Sequence, residues 1–148
     1  MLVYTSKSVK QTENIGSELS KSLSSGSVVA LFGGLGMGKT TFVRGMAKGL
    51  GLEAHVSSPT FALVHDYGGN PTFYHFDMYR INSWDGLYST GFFDYLNNNS
   101  IIVIEWSENI ENSLPNEYIR VNFEYGHEPD ERIITITKRG EKHENTCN

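Results

Sequence analysis

Ile15, Leu19 and Leu23 recur every fourth residue, and Ser8 with Gln11 three positions on has the form of a capping box. The spacing predicts a helix over 8–24 with one apolar stripe. "SVVALFG", 27–33, is an unbroken apolar run of strand length closed by glycine, the pattern of a strand buried on both faces. A glycine-rich loop follows. Beyond it Val43, Met46, Ala47 and Leu50 share one helical face, and Gly51 suits a left-handed C-cap. "FALVHDY", 61–67, and "TFYHFD", 72–77, flank "GGNP", which reads as a hairpin. Residues 84–97 are predicted helical with a break near Gly91, and "SIIVIEW", 100–106, is a second buried strand. Ile119, Val121, Phe123 and Tyr125 alternate, and "ERIITITKRG" follows a short loop, giving a second antiparallel pair, half exposed. "SLSSGS" at 22–27 and "NNNS" at 97–100 read as connectors, and no repeat is visible. The sum is an α/β chain with a mixed sheet of about six or seven strands and flanking helices. One domain is expected over 1–140, with a polar tail at 141–148.

Composition narrows this. A chain of 148 residues fits one domain, able to bury roughly 70% of its unfolded surface. With 39% hydrophobic and 20% charged residues it is of ordinary globular type. Twelve Lys and Arg stand against 17 Asp and Glu, a net charge of −5, which argues against a protein that grips nucleic acid unaided. From Ser107 onward nine acids and five bases supply −4 of that charge. An acidic half suits a protein partner, and equally a solvated surface. The one cysteine, Cys147, excludes an internal disulfide and a cysteine metal site. No apolar run approaches the roughly 20 residues of a membrane span. "MLVYTSKSVKQ" lacks a signal-peptide core, so a cytoplasmic protein is expected.

The chemistry is concentrated in "GGLGMGKTT", 33–41, where Gly33, Gly38, Lys39 and Thr40 satisfy G-x-x-x-x-G-K-[ST]. Glycines let backbone N–H groups approach phosphate oxygens with no Cβ in the way. A helix beginning at Gly38 adds roughly half an elementary positive charge at its N-terminus. Lys39 brings a full charge to the β- and γ-phosphates, the Thr40 hydroxyl can ligate Mg²⁺, and Thr41 has a hydroxyl nearby. The strand before and helix after make this a P-loop NTPase-like domain. Gly34, Leu35, Gly36 and Met37 complete the loop.

A phosphate loop needs a neighbouring acid, and Asp77 and Glu105 both close apolar strand-like runs. The sequence does not divide metal binding and water activation between them. In "SSPTF", 57–61, the proline holds Ser58 extended and presents Thr60, which can act as a γ-phosphate switch or simply sit in a turn. His75 shares a strand face with Asp77, and a hydrogen-bonded histidine is the expected reading over a metal pair. Arg80 pairs with a carboxylate or reaches phosphate. Trp106 is either core or a lid beside the nucleotide.

"GGLGMGKTTFVRGMAKGLG", "VSSPTF", "YHFDMYRI" and "VIEW", in this order and spacing, resemble the TsaE family, the small ATPase of bacterial tRNA threonylcarbamoyladenosine biosynthesis. The resemblance runs from about Thr12 to Arg132. It implies a subunit that binds the TsaD–TsaB complex and hydrolyses ATP, allowing repeated threonylcarbamoyl transfer to the tRNA adenosine beside the anticodon. It further implies that 33–41 holds the phosphates, Thr40 and Glu105 ligate Mg²⁺, and Asp77 is the strand-end acid. Thr60 is then the switch-like threonine, Trp106 lies near the nucleotide, and Thr12 and Arg132 lie near base and ribose. Two features depart from the family pattern. Met37 stands where alanine is usual, so its side chain must point away from the phosphates. "WDGLYSTGFFDYL" is poor in acids.

Two other readings of the loop stand beside a partner-dependent ATPase: a small-molecule kinase, and a nucleotide-gated binding module without useful hydrolysis. The five arginines form no cluster of the kind a kinase lid carries, and no guanine-reading N-K-x-D motif is present.

Overall fold

Seven strands form one sheet in the order β1-β7-β6-β2-β5-β4-β3. The structure, a computed structural model, describes residues 1–34, 36–52, 56, 63–96 and 99–140. The strands are β1 (Leu2–Ser6), β2 (Val28–Phe32), β3 (Val64–Asp66), β4 (Thr72–Asp77), β5 (Ser100–Glu105), β6 (Tyr118–Tyr125) and β7 (Arg132–Arg139). The helices are α1 (Val9–Ser20), α2 (Lys39–Gly49), α3 (Trp84–Ser89) and α4 (Phe92–Tyr95), with a 3₁₀ segment at Ser107–Ser113. β2 runs parallel to β5 and β6, and β5 runs parallel to β4. The outer pairs β1–β7, β6–β7 and β3–β4 are antiparallel.

β2 and β5 are buried along their whole length, as their unbroken apolar runs require. Alternation divides their side chains between two cores. Val29, Leu31, Ile101 and Val103 meet Phe42, Val43 and Met46 of α2 on one face. Val28, Ile102 and Ile104 meet Leu87, Phe92 and Ile110 on the other. The expected break near Gly91 is real: Gly91 has φ of 79° and separates α3 from α4.

Helix α1 is shorter than the predicted 8–24. Ser20 and Ser22 donate their hydroxyls to the carbonyls of Ser17 and Leu19, a local bonding that competes with helix continuation. At its start Gln11 N–H donates to Ser8 Oγ at 3.1 Å. The Gln11 amide oxygen accepts from Lys7 N–H at 2.6 Å, one residue outside the usual box. Where α1 crosses α2, Glu13 accepts from Lys48 at 2.9 Å and from Arg44 at 3.3 Å. The Lys48 hydrogen bond is the main cause holding the Glu13 carboxyl below its ordinary range. Arg44, next to the glycine loop in sequence, is thus engaged with α1.

β1 is an element that the apolar pattern does not announce. Leu2 and Val3 are both exposed, and only Tyr4 and Ser6 turn towards the core. The strand exists because β7 supplies its backbone partners from Ser6↔Arg132 to Leu2↔Ile136. Among the described residues no helix is long and apolar enough to cross a membrane.

Candidate nucleotide site

The C-terminal ends of the parallel strands converge on one edge, where α/β sheets bind ligands. β2 leads into the glycine loop, and Asp77 and Glu105 are paired in register at the ends of β4 and β5. Gly33, Gly36 and Gly38 have φ of 146°, 73° and 94°, values a side chain resists. A Cβ at Gly33 would lie 3.0 Å from Phe123, whereas Gly34 and Gly36 face open space. Gly38 caps α2, so Lys39, Thr40 and Thr41 form its first turn.

Lys39 is 5% exposed. Its ammonium donates to the Gly33 carbonyl at 2.6 Å and lies 3.8 Å from the centre of the Trp106 ring. Burial pushes its pKa below the ordinary lysine value, against the opposing pull of Glu108, Glu105 and Asp77. The Thr40 hydroxyl donates to Glu105 Oε2 at 3.2 Å. Thr40 and Glu105 are thus brought together. Their hydroxyl and carboxylate oxygens are the hard donors that suit Mg²⁺. Asp77 Oδ1 accepts from the Tyr79 N–H at 2.9 Å.

A cavity of about 760 Å³ opens beside the loop, lined by Met37 to Thr41, Glu105 and Trp106, with Thr12, Asp130 and Arg132 further along. Thr12 is buried, and its hydroxyl bonds Ser6 Oγ at 2.7 Å. Ser6 Oγ itself donates to the Ser8 carbonyl, so the Thr12 O–H is the donor of the pair. Arg132 is held by the carbonyls of Pro129 and Glu131 and reaches Gly36 O at 3.4 Å. Met37 is 6% exposed and belongs to the core with Phe42 and Phe123, so its side chain points away from the loop's open face. Trp106 is half-buried, packs at a tilt against Tyr79 with ring centres 4.9 Å apart, and holds a left-handed backbone at φ 59°. That conformation costs a tryptophan roughly 1–3 kcal/mol and fixes the ring over Lys39. Leu35, Thr60 and the tail at 141–148 lie outside the described residues.

One group escaped the sequence reading. Glu108, in the 3₁₀ segment, accepts the Gly33 N–H at 2.8 Å and ties that segment to the loop. His75 is fully buried and hydrogen-bonded, as expected of it, and its partner is Glu105. Among the described residues no group of three or more metal-ligating side chains is present.

A family model described as "Threonylcarbamoyl adenosine biosynthesis protein TsaE" matches residues 6–134. The tRNA threonylcarbamoyladenosine biosynthesis protein TsaE of Treponema pallidum is 38% identical over 117 residues, 79% of this chain and 87% of that one. Its Rickettsia typhi counterpart is 39% identical over 139 residues, 92% of this chain and 94% of that one. The crystal structure of Bacillus subtilis YdiB superposes with a TM-score of 0.79 at 30% identity, covering 99% of this chain and 90% of that one. The phosphate-type loop, the strand-end acids and these likenesses along nearly the whole length agree: the chain belongs to the TsaE family.

Proposed function

We propose that this chain binds and hydrolyses ATP at the loop of residues 33–41, weakly alone and faster when docked on the TsaD–TsaB complex. By this reading it supports repeated threonylcarbamoylation of the tRNA adenosine beside the anticodon, in the cytoplasm, and meets tRNA only through that complex. The observation that carries the proposal is the Thr40–Glu105 contact at 3.2 Å beside a buried Lys39. A hydroxyl, a carboxylate and an ammonium so close, with a helix N-terminus behind them, fit a nucleotide polyphosphate.

In this reading Lys39 leaves the Gly33 carbonyl and turns onto the β- and γ-phosphates, while the loop N–H groups cradle their oxygens. Thr40 and Glu105 would hold Mg²⁺, which neutralises charge on the same phosphates. Asp77, set beside Glu105 by the strand register, orients the attacking water. Trp106 and the wall formed by Thr12 and Arg132 take the rest of the nucleotide. Thr60 is assigned the γ-phosphate contact on the family resemblance alone. Arg44, Arg120 and Arg132 are each engaged with carboxylates or carbonyls of the chain. That suits stimulation by an arginine from the partner, worth about 10³–10⁵ in rate where it occurs.

Nucleotide binding is tested by thermal unfolding. Mg–ATP or Mg–ADP at about 100 times its dissociation constant is expected to stabilise the fold by about 2.7 kcal/mol. At this chain length each kcal/mol raises the midpoint by about 2–4 °C. A midpoint unmoved by either nucleotide contradicts the proposal.

A further inference from the structure

Glu105 is the end of a chain of hydrogen bonds that crosses the sheet. His75 Nε2 meets Glu105 Oε2 at 2.5 Å, Tyr67 Oη meets His75 Nδ1 at 2.9 Å, and His65 Nδ1 meets Tyr67 Oη at 3.2 Å. The sheet builds this chain by register. β3 places His65 opposite His75, and Tyr67 follows two residues on. β5 places Val103 opposite His75, so Glu105 is the diagonal neighbour within reach of a long side chain. The rings also pack: Tyr67 lies 5.8 Å from both Phe73 and His75.

The bond directions follow from the acceptor at the end. A carboxylate only accepts, so His75 donates from Nε2. In the tautomer with its proton on Nε2 alone, His75 accepts at Nδ1 from the Tyr67 O–H, whose oxygen can accept from a His65 N–H. His75 is wholly buried and the Glu105 side chain is 5% exposed. The His75 ring has no solvent exposure, so a lost bond there leaves a buried group unsatisfied.

We propose that His75 is a positioning residue for the cation site, with Tyr67 setting its tautomer. Resting on the nucleotide reading above, it acts through Glu105: it engages Oε2, fixes the carboxylate plane, and directs Oε1 and the Thr40 hydroxyl towards a divalent cation. Outer hydrogen bonds of this kind are typically worth about 10- to 100-fold in metal affinity.

The test measures affinity for a non-hydrolysable ATP analogue, first in EDTA and then at graded Mg²⁺. His75→Leu is expected to raise the Mg²⁺ concentration at half-effect by about 10- to 100-fold, while leaving the affinity in EDTA at the parent value. His75→Gln, which keeps an amide donor, restores most of the Mg²⁺ response. Tyr67→Phe preserves the packing, moves the midpoint in the same direction by less, and carries the test if His75→Leu fails to fold. An unchanged Mg²⁺ midpoint in either the His75→Leu or the Tyr67→Phe protein overturns the inference. So does a loss of affinity in EDTA as large as the loss in Mg²⁺, which is what a merely structural role produces. A parent protein that does not bind the analogue in either condition overturns the nucleotide reading, and this inference with it.

Discussion

Lys39→Met is expected to lower ATP turnover by at least about 100-fold and yet to raise the stability of the nucleotide-free protein. The two effects have one origin. Removing a single preorganised donor to developing charge costs about 10²–10³ in rate, and Lys39 is the described cation nearest the loop's glycines, bonded to the Gly33 carbonyl at 2.6 Å. That ammonium is kept out of water at a cost. Its folded pKa lies below the unfolded value of 10.5, so the charged form opposes folding. The penalty is fully present below the folded pKa and disappears as pH rises through 10.5. Methionine keeps the stem under Trp106 without the charge, and so without the burial penalty that lowers the Lys39 pKa. Steady-state turnover and chemical unfolding at pH 7 measure the two effects. Turnover at the parent level, or a destabilised Lys39→Met protein, contradicts this account of the loop.

The second large effect lies in the helix pair that carries the loop. Gly45→Ala is expected to destabilise the fold by about 2–3 kcal/mol, near the upper range for overpacking, although alanine is the better helix former by about 1 kcal/mol. Sterics win because the obstacle is backbone. A Cβ at Gly45 would sit 2.0 Å from the Glu13 carbonyl oxygen, and one at Gly16 would sit 2.3 Å from the Phe42 carbonyl oxygen. Neither atom can rotate away, so α1 and α2 must separate. The shift moves Phe42 out of its edge-to-face contact with Phe123, at 5.5 Å, and disturbs the first turn that holds Lys39 and Thr40. A denaturation midpoint lowered with an unchanged slope identifies the loss as stability. A Gly45→Ala protein as stable as the parent means that the helices do not approach so closely.

These two residues also show what a sequence discloses. Lys39, Thr40 and the glycines are legible because a covalent spacing fixes them around one ligand. β2 and β5 are legible because strands buried on both faces must be apolar throughout. β1 is not, since its exposed Leu2 and Val3 carry no alternation and its partner β7 lies at the other end of the chain. The same limit hides Gly45: glycine in a helix reads as a weakness until a second helix is seen against it. Glu105 could be named as a strand-end acid, but its bond to His75 depends on the registers of β4 and β5, and Glu108 reaches Gly33 only through the 3₁₀ turn. Met37 is the reverse case. Its bulk in a phosphate loop predicts that it turns inward, and its burial with Phe42 and Phe123 agrees.

The central claim is that hydrolysis here serves a partner. The most direct measurement is ATP turnover by the purified chain, alone and with the TsaD–TsaB complex and tRNA, alongside the amount of threonylcarbamoyladenosine formed per complex. The account predicts slow turnover alone, faster turnover with the complex, and more than one modification per complex only when ATP can be hydrolysed. Equal turnover with and without the complex, or repeated modification supported equally by a Glu105→Gln protein, contradicts it.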